Sequence, residues 1–224
     1  MPSVILPVYG NEEALPVLAA SLHEVLRADW PDYELVFVHD ASPDKSLTVL
    51  QGLQAQSPQH ITILDQPRNL GQQKSVLNGL RAARNPITVV MDADLQDQPA
   101  QVPVLLKELE MKGGAVFLLR DDRYQGWGRM LTSRLFKLPL YWLSGLHYRA
   151  GMFFAMDAKV REKVLSLAVK EAYLTVMVAC AGLPVHYKEG KRDKRPFGQS
   201  AYNFRGRLSA AVSAFRCWWQ CRRA

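Results

Sequence analysis

The chain has 224 residues, 48% of them hydrophobic, with a formal net charge of +7 and a pI near 9.4. That composition excludes a disordered or fibrous chain and fits one large domain, or a domain with an appendage, around an ordinary apolar core. The positive charge points to a polyanionic partner, a phosphorylated ligand or an anionic membrane surface without choosing among them.

The elements follow in order. Ser3 to Tyr9 (SVILPVY) reads as a buried strand, and the next stretch places Leu15, Leu18, Leu22, Val25 and Leu26 on one helical face. Tyr33 to His39 is a second buried strand, and ASPDKSLTVLQGLQAQ a turn and a helix. Ile61 to Leu64 is a third strand, NLGQQKSVLNGLRAAR a turn at Gly71 and a helix, and Ile87 to Asp92 a fourth strand. A helix from about Ala100 to Met111 leads to a strand over Ala115 to Leu119. The second half is less regular. Helices are expected over about Arg129 to Ser144, Ala158 to Leu167 and Ala172 to Ala181, with strands at Met152 to Met156 and in PVHYKE. A basic loop from Gly190 to Ala201 enters a last helix.

Strands alternate with helices, and the strands are continuous apolar runs. The fold expected is α/β, a Rossmann-like, mostly parallel sheet covered by helices on both faces. No linker divides the chain, so one domain over 1–224 is expected. No leader is expected, because a strand begins almost at once, and no apolar run reaches the length of a spanning helix. Cys180, Cys217 and Cys221 match neither a metal-ligand spacing nor an even disulfide framework, so reduced thiols of a cytoplasmic protein are the reading.

In such a sheet, ligands bind outside the carboxyl ends of the strands, where Tyr9, Asp40 and Asp92 fall. The run VVMDADLQDQP places Asp92 and Asp94 two residues apart at a strand end. Paired carboxylates there suit a hard divalent cation, Mg²⁺ or Mn²⁺, with Gln96 and Asp97 as further oxygen donors; the plainer reading is a solvated acidic turn. Asp40 is placed to accept hydrogen bonds from a base or ribose, or to close an Asx turn. His39 reads as a packed histidine. Neither a G-x-G-x-x-G nor a Walker loop is present, which disfavours dinucleotide and P-loop enzymes. The stretch from Lys188 to Arg207 is rich in Lys and Arg; Arg195, Ser200 and Tyr202 in it supply phosphate donors, unless it is a solvated basic face.

Together, LPVYGNEE, FVHDASPD, NLGQQKSVLNG, MDADLQDQP and RPFGQSAYNF resemble family-two glycosyltransferases of the GT-A fold, in order and spacing. The look is nearest to the polyprenyl-phosphate branch, which includes dolichol-phosphate mannose synthase and bacterial undecaprenyl-phosphate sugar transferases. The resemblance implies a nucleotide-sugar half over about 1–120 and an acceptor half over about 121–224. It implies that Pro7, Tyr9 and Glu12 hold the nucleoside, that Asp40 binds base or ribose, and that Asp92 and Ala93 border the nucleotide. Asp94, with Gln96, would hold Mg²⁺ or Mn²⁺ against the diphosphate. Lys74 and Arg120 would lie on the sugar-nucleotide side, and Arg195, Ser200 and Tyr202 would close on phosphates, with Asp94 and Arg195 the catalytic pair. The activity implied is an inverting, metal-dependent sugar transfer from a nucleotide-sugar, in cell-surface glycan synthesis. The acceptor is a polyprenyl phosphate or, alternatively, a sugar hydroxyl.

Two departures stand out. His39 replaces the first of two acids at the end of the second strand, and Arg149, Met152 and Phe154 stand where relatives read close to D-x-G-D-F-R-L. The lost acids motivate a rival, a non-catalytic nucleotide-sugar-binding relative. A nucleic-acid partner is not expected, because no strand platform of interleaved aromatics is present. The last segment, Phe204 to Ala224, sets Leu208, Val212, Phe215 and Trp219 on one helical face among arginines. It reads as an in-plane helix on the cytoplasmic face of a membrane, or as a helix packed on the domain.

Overall fold

The computed structural model describes residues 1–120, 144–193, 196 and 204–223. Arg195, Ser200, Tyr202 and the helix expected over 129–144 (Ser144 apart) lie outside the described residues, as does the side chain of Arg120. Seven strands form one sheet: β1 (Pro2–Val8), β2 (Glu34–His39), β3 (Ile61–Asp65), β4 (Ile87–Val90), β5 (Ala115–Arg120), β6 (Ala150–Met156) and β7 (Val185–Gly190). Their spatial order is β3-β2-β1-β4-β6-β5-β7. β1 pairs in parallel with β2 and β4, β2 with β3, and β5 with β7; β6 runs antiparallel between β4 and β5. The expected mostly parallel sheet is therefore present, with one reversed strand that no local pattern announced.

Alternation along the strands sorts the core into two layers. Val4, Leu6 and Val8 of β1, with Leu35 and Phe37 of β2, face α1 (Leu15–Leu26), α2 (Ser46–Gln56) and α4 (Val102–Lys112). Ile5, Val36 and Val38 face the other way, onto α3 (Gln72–Ala82), α5 (Ala158–Ser166), α6 (Leu174–Cys180) and α7 (Phe204–Cys221). Leu15, Leu18, Leu22 and Leu26 are buried as the spacing expected, while Val25 packs at the margin. β3 is an edge strand, so Ile63 and Leu64 are half-buried rather than fully enclosed.

Local chemistry sets the element ends. Gly71 opens α3 and Gly113 closes α4 at positive φ, where a side chain would be strained. Asp157 caps α5: one carboxylate oxygen accepts from the Val160 amide at 2.9 Å and the other from the Gly114 amide at 2.7 Å. At the amino edge of the sheet, Glu34 is buried. Its carboxylate accepts from Ser3 Oγ at 2.6 Å, Thr62 Oγ1 at 2.8 Å, the Arg84 amide at 3.0 Å and Arg84 Nε at 2.8 Å. Burial opposes ionisation there, but these donors together outweigh it and hold the Glu34 carboxyl below its ordinary value.

Candidate active site

Because β1, β2 and β4 run in parallel, their carboxyl ends share one edge, and the residues after them meet there. β6 runs the other way, so its first residues reach the same edge, beside the ends of β5 and β7. Pro7 is buried within β1 and Tyr9 is exposed just beyond it. The turn is organised by its own polar groups. Tyr9 N–H donates to Asn11 Oδ1 at 3.0 Å, and the Asn11 carbonyl accepts from the amides of Ala14 and Leu15 as α1 begins. The Lys45 amide donates to Glu12 Oε2 at 2.6 Å, and the Glu12 amide to Asp44 Oδ2 at 3.2 Å. The loops after β1 and β2 are thereby tied together. Burial works against ionisation of Asp44, but bonds from Ser42, Ser46 and the Glu12 amide prevail and lower its pKa.

Asp40 is almost fully buried. Its Oδ1 accepts from the Leu70 amide at 2.6 Å and Gln66 Nε2 at 3.2 Å, and its Oδ2 from the Gly71 amide at 2.9 Å. It thus holds the loop that enters α3. His39 is packed, as expected. The Ser42 amide donates to its Nε2 at 3.1 Å, which leaves Nδ1 to carry the proton toward Asp65 Oδ1 at 2.7 Å. Lys74 is exposed on α3, and Arg120 ends β5 opposite Gly190.

The D-x-D loop follows β4. Gln72 Nε2 donates to Asp92 Oδ1 at 2.6 Å, Ala93 is buried, and Asp94 is 7% exposed. The Gln96 amide turns back onto Asp94 Oδ1 at 3.0 Å. That turn needs Leu95 at φ 59°, and Ala41 beside Asp40 stands at φ 49°; both are left-handed positions occupied by residues with side chains. Asp94 lines an open cleft of about 260 Å³ with Gly10, Asn11, Glu12, Glu13, Ala14 and Asp44. The structure therefore brings Asp94 and Glu12 to one cleft, while Asp40 and Asp92 accept hydrogen bonds from Leu70, Gly71 and Gln72 at the start of α3.

Asp97 and Arg192 carry more weight than their place in the sequence suggested. Asp97 is fully buried and forms a bridge with Arg192, whose guanidinium donates to Gln96 Oε1 at 2.9 Å. The sequence marks Asp97 as a further oxygen donor for the cation and Arg192 only as part of a basic run; the structure instead sets Asp97 against Arg192. On the remaining part of the edge, Arg149 is paired with Glu189, its Nη1 to Oε1 at 3.1 Å and its Nη2 to Oε2. Burial, and then the Arg149 charge, push the pKa of the neighbouring His147 down. Met152 lies against Gln73 Nε2 at 3.8 Å, and Phe154 is core, stacked on Phe117 at 4.6 Å between centroids.

The fold that forms this edge is shared with solved enzymes. A mannosyltransferase of Pyrobaculum calidifontis, solved with GDP-Man and Mn²⁺, superposes with a TM-score of 0.68 at 18% identity, over 96% of this chain and 62% of its own. The glucosyl-3-phosphoglycerate synthase of Mycobacterium tuberculosis, solved with Mn²⁺, UDP and glucosyl-3-phosphoglycerate, gives 0.71 at 16%, over 99% of this chain and 80% of its own. These likenesses establish the GT-A fold. In sequence, the undecaprenyl-phosphate 4-deoxy-4-formamido-L-arabinose transferase of Enterobacter sp. is 26% identical over 96% of this chain and 66% of its own length. An uncharacterized glycosyltransferase of Bacillus subtilis is 28% identical over 94% of this chain and 66% of its own. The chain spans about two thirds of the length of these relatives. The model of glycosyl transferase family 2 matches residues 3–165, which include β1 to β4, the cleft and the D-x-D loop, and the chain belongs to that family.

Proposed function

We propose that this protein transfers a sugar from a nucleotide-sugar donor to a polyprenyl phosphate, with inversion at the anomeric carbon and with a divalent cation. The observation that carries the reading is Asp94, nearly buried yet lining the cleft where the loops after β1 and β2 meet the loop after β4. Tyr9, Glu12 and Asp40 are assigned to the nucleoside side, Asp92 and Ala93 to the nucleotide border, and Asp94 with Gln96 to the cation. The donor set fits that ion: hard oxygens from one or two side chains leave the remaining positions to phosphate and water, as Mg²⁺ and Mn²⁺ prefer. When bound, the cation supplies positive charge against the departing nucleoside diphosphate. Arg195, Ser200 and Tyr202 are assigned to the phosphates by the motif they match.

Two observations favour a phosphate acceptor over a sugar hydroxyl. A hydroxyl needs a general base, whereas a phosphate is already an anion. By the family resemblance Arg149 and Met152 occupy positions where acids are common, so neither supplies a carboxylate base there, and Arg149 itself is paired with Glu189. The relatives named for undecaprenyl phosphate support the same acceptor class. A lipid acceptor also calls for contact with the cytoplasmic face of a membrane. Among the described residues no helix is long and apolar enough to cross one. The surface assigned to contact is on α7, where Val212, Phe215 and Trp219 are 43%, 52% and 47% exposed. Arg223 stacks over Trp219 at 3.5 Å, while Ala214 and Cys217 on the opposite side are buried against the core. Aromatics with arginines on one exposed face suit an interfacial helix.

The test is a panel of nucleotide sugars with undecaprenyl phosphate, with and without Mn²⁺, comparing the wild type with Asp94→Asn. Metal-dependent transfer with an inverted product, absent in the variant, is expected. Undiminished transfer by Asp94→Asn sinks the cation assignment, and transfer to free sugar alone sinks the acceptor.

A further inference from the structure

The loop after β4 is fastened to the chain that follows β7, and the fastening centres on Arg192. The Arg192 guanidinium donates through Nη2 to Gln96 Oε1 at 2.9 Å, and its Nε lies 3.7 Å from Asp97 Oδ1. The next amide, Asp193 N–H, donates to the Gln96 carbonyl at 2.8 Å. Gln96 in turn donates its own amide to Asp94 Oδ1 at 3.0 Å. Gln96 therefore has its side chain, its carbonyl and its N–H all engaged, and every one of these contacts leads from residues 192–193 to Asp94. We infer that Arg192 is a positioning residue for Asp94 and Gln96, with Asp97 as its buried counter-charge; this rests on the proposed function and deepens it.

Three physical features support the assignment. Asp97 is 0% exposed and the Arg192 side chain 19%, so their attraction is little screened by solvent. Removing the cation would take away an opposite charge 3.7 Å from a fully buried carboxylate, which is costly. Leu95, between Asp94 and Gln96, is held at φ 59°, a conformation that a branched side chain keeps only where its neighbours are fixed. Finally, the planar fork of arginine reaches an amide oxygen and a carboxylate at once, which a lysine ammonium does less well. Independent ties keep the two segments together without Arg192. Gln101 Nε2 donates to the Lys191 carbonyl at 2.6 Å and the Lys191 amide to Gln101 Oε1 at 2.9 Å, and Gln98 Nε2 donates to Asp193 Oδ2 at 2.6 Å. Loss of Arg192 should therefore loosen the cation loop without separating the strands.

The experiment is a Mn²⁺ titration followed by the spin-resonance signal of the free ion, in saturating UDP or GDP, with unfolding temperature measured alongside. Arg192→Ala should weaken Mn²⁺ binding by about 10- to 100-fold, the usual cost of removing a partner that orients a metal ligand. Arg192→Lys, which keeps the charge and guards against misfolding, should fall between it and the wild type. Gln101→Ala, which cuts a tie that bypasses Gln96, should leave Mn²⁺ affinity within about twofold of wild type. Arg192 variants that bind Mn²⁺ like the wild type while melting earlier would show a structural tie only and overturn the inference. Equal weakening in Gln101→Ala overturns it too. A wild type that binds no Mn²⁺ with either nucleotide defeats the proposed function itself, visibly and before any variant is compared, and this inference falls with it.

Discussion

Replacing Glu34 by Gln keeps the shape of a buried group and removes its charge, far from the cleft. The two carboxylate oxygens accept four hydrogen bonds, from Ser3, Thr62 and two groups of Arg84. A carboxamide keeps one oxygen and turns an NH₂ toward two of those donors. The Ser3 and Thr62 hydroxyls can rotate to accept, and the Arg84 head, 61% exposed, can turn to water. The Arg84 amide has no such recourse if the NH₂ faces it. One or two unsatisfied buried groups at about 1–3 kcal/mol each give an expected loss of about 2–4 kcal/mol. For a chain of this size that is a fall in Tm of about 5–15 °C. The pH dependence has a definite sign. The folded pKa of Glu34 is depressed, so its ionisation contributes stability that is fully present above the unfolded value, about 4.3. That contribution is lost as pH falls through the folded pKa, because the unfolded chain then takes up the proton first. Thermal melts of wild type and Glu34→Gln at pH 7 and at pH 3 should therefore converge on acidification. Nucleotide binding at pH 7 and 20 °C should be unchanged, since the network sits at the opposite edge of the sheet. A loss below about 1 kcal/mol, or a gap that is the same at both pH values, would refute the reasoning.

Other substitutions test the site and its supports. Gly79→Ala would put a Cβ 2.4 Å from Ile5 Cγ2 and 3.0 Å from Val38 Cγ2, both in the core, so denaturant melts should show a loss of about 1–3 kcal/mol from overpacking under α3. Asp40→Ala frees the Leu70 and Gly71 amides; a stability loss of about 1–3 kcal/mol is expected, together with weaker nucleotide binding by calorimetry. Phe215→Glu with Trp219→Glu should abolish cosedimentation with anionic liposomes at low salt while leaving the melting temperature nearly unchanged, because both side chains are about half exposed. A truncation within α7 is a poorer test, since it removes Cys217 from the core. Arg195→Ala should lower turnover without lowering the melting temperature, and unchanged turnover would reduce its segment to a basic surface.

What was legible in the sequence was local. The apolar runs of β1, β2 and β4 and the leucine spacing of α1 mark strands and a helix, because side-chain period and backbone geometry are coupled within a few residues. Alternation of the two then places Tyr9, Asp40 and Asp92 at one edge, because parallel strands bring their carboxyl ends together. The direction of β6 was not legible: a buried strand has the same apolar run whichever way it enters the sheet, and only its pairing with β4 and β5 decides. The spacing grouped Val212, Phe215 and Trp219 on one face of α7 but did not decide whether that face or the Cys217 side is buried, since both carry apolar residues and only the packing of α7 on α6 settles it. The same holds for acids and bases. A formal charge count treats Asp97 and Arg192 as two more surface residues, 95 positions apart in the numbering; the sheet lays β7 close enough to the loop after β4 for one to be buried against the other. Contacts of that kind arise from chain reversal over long separations, and no pattern within a window of sequence encodes them.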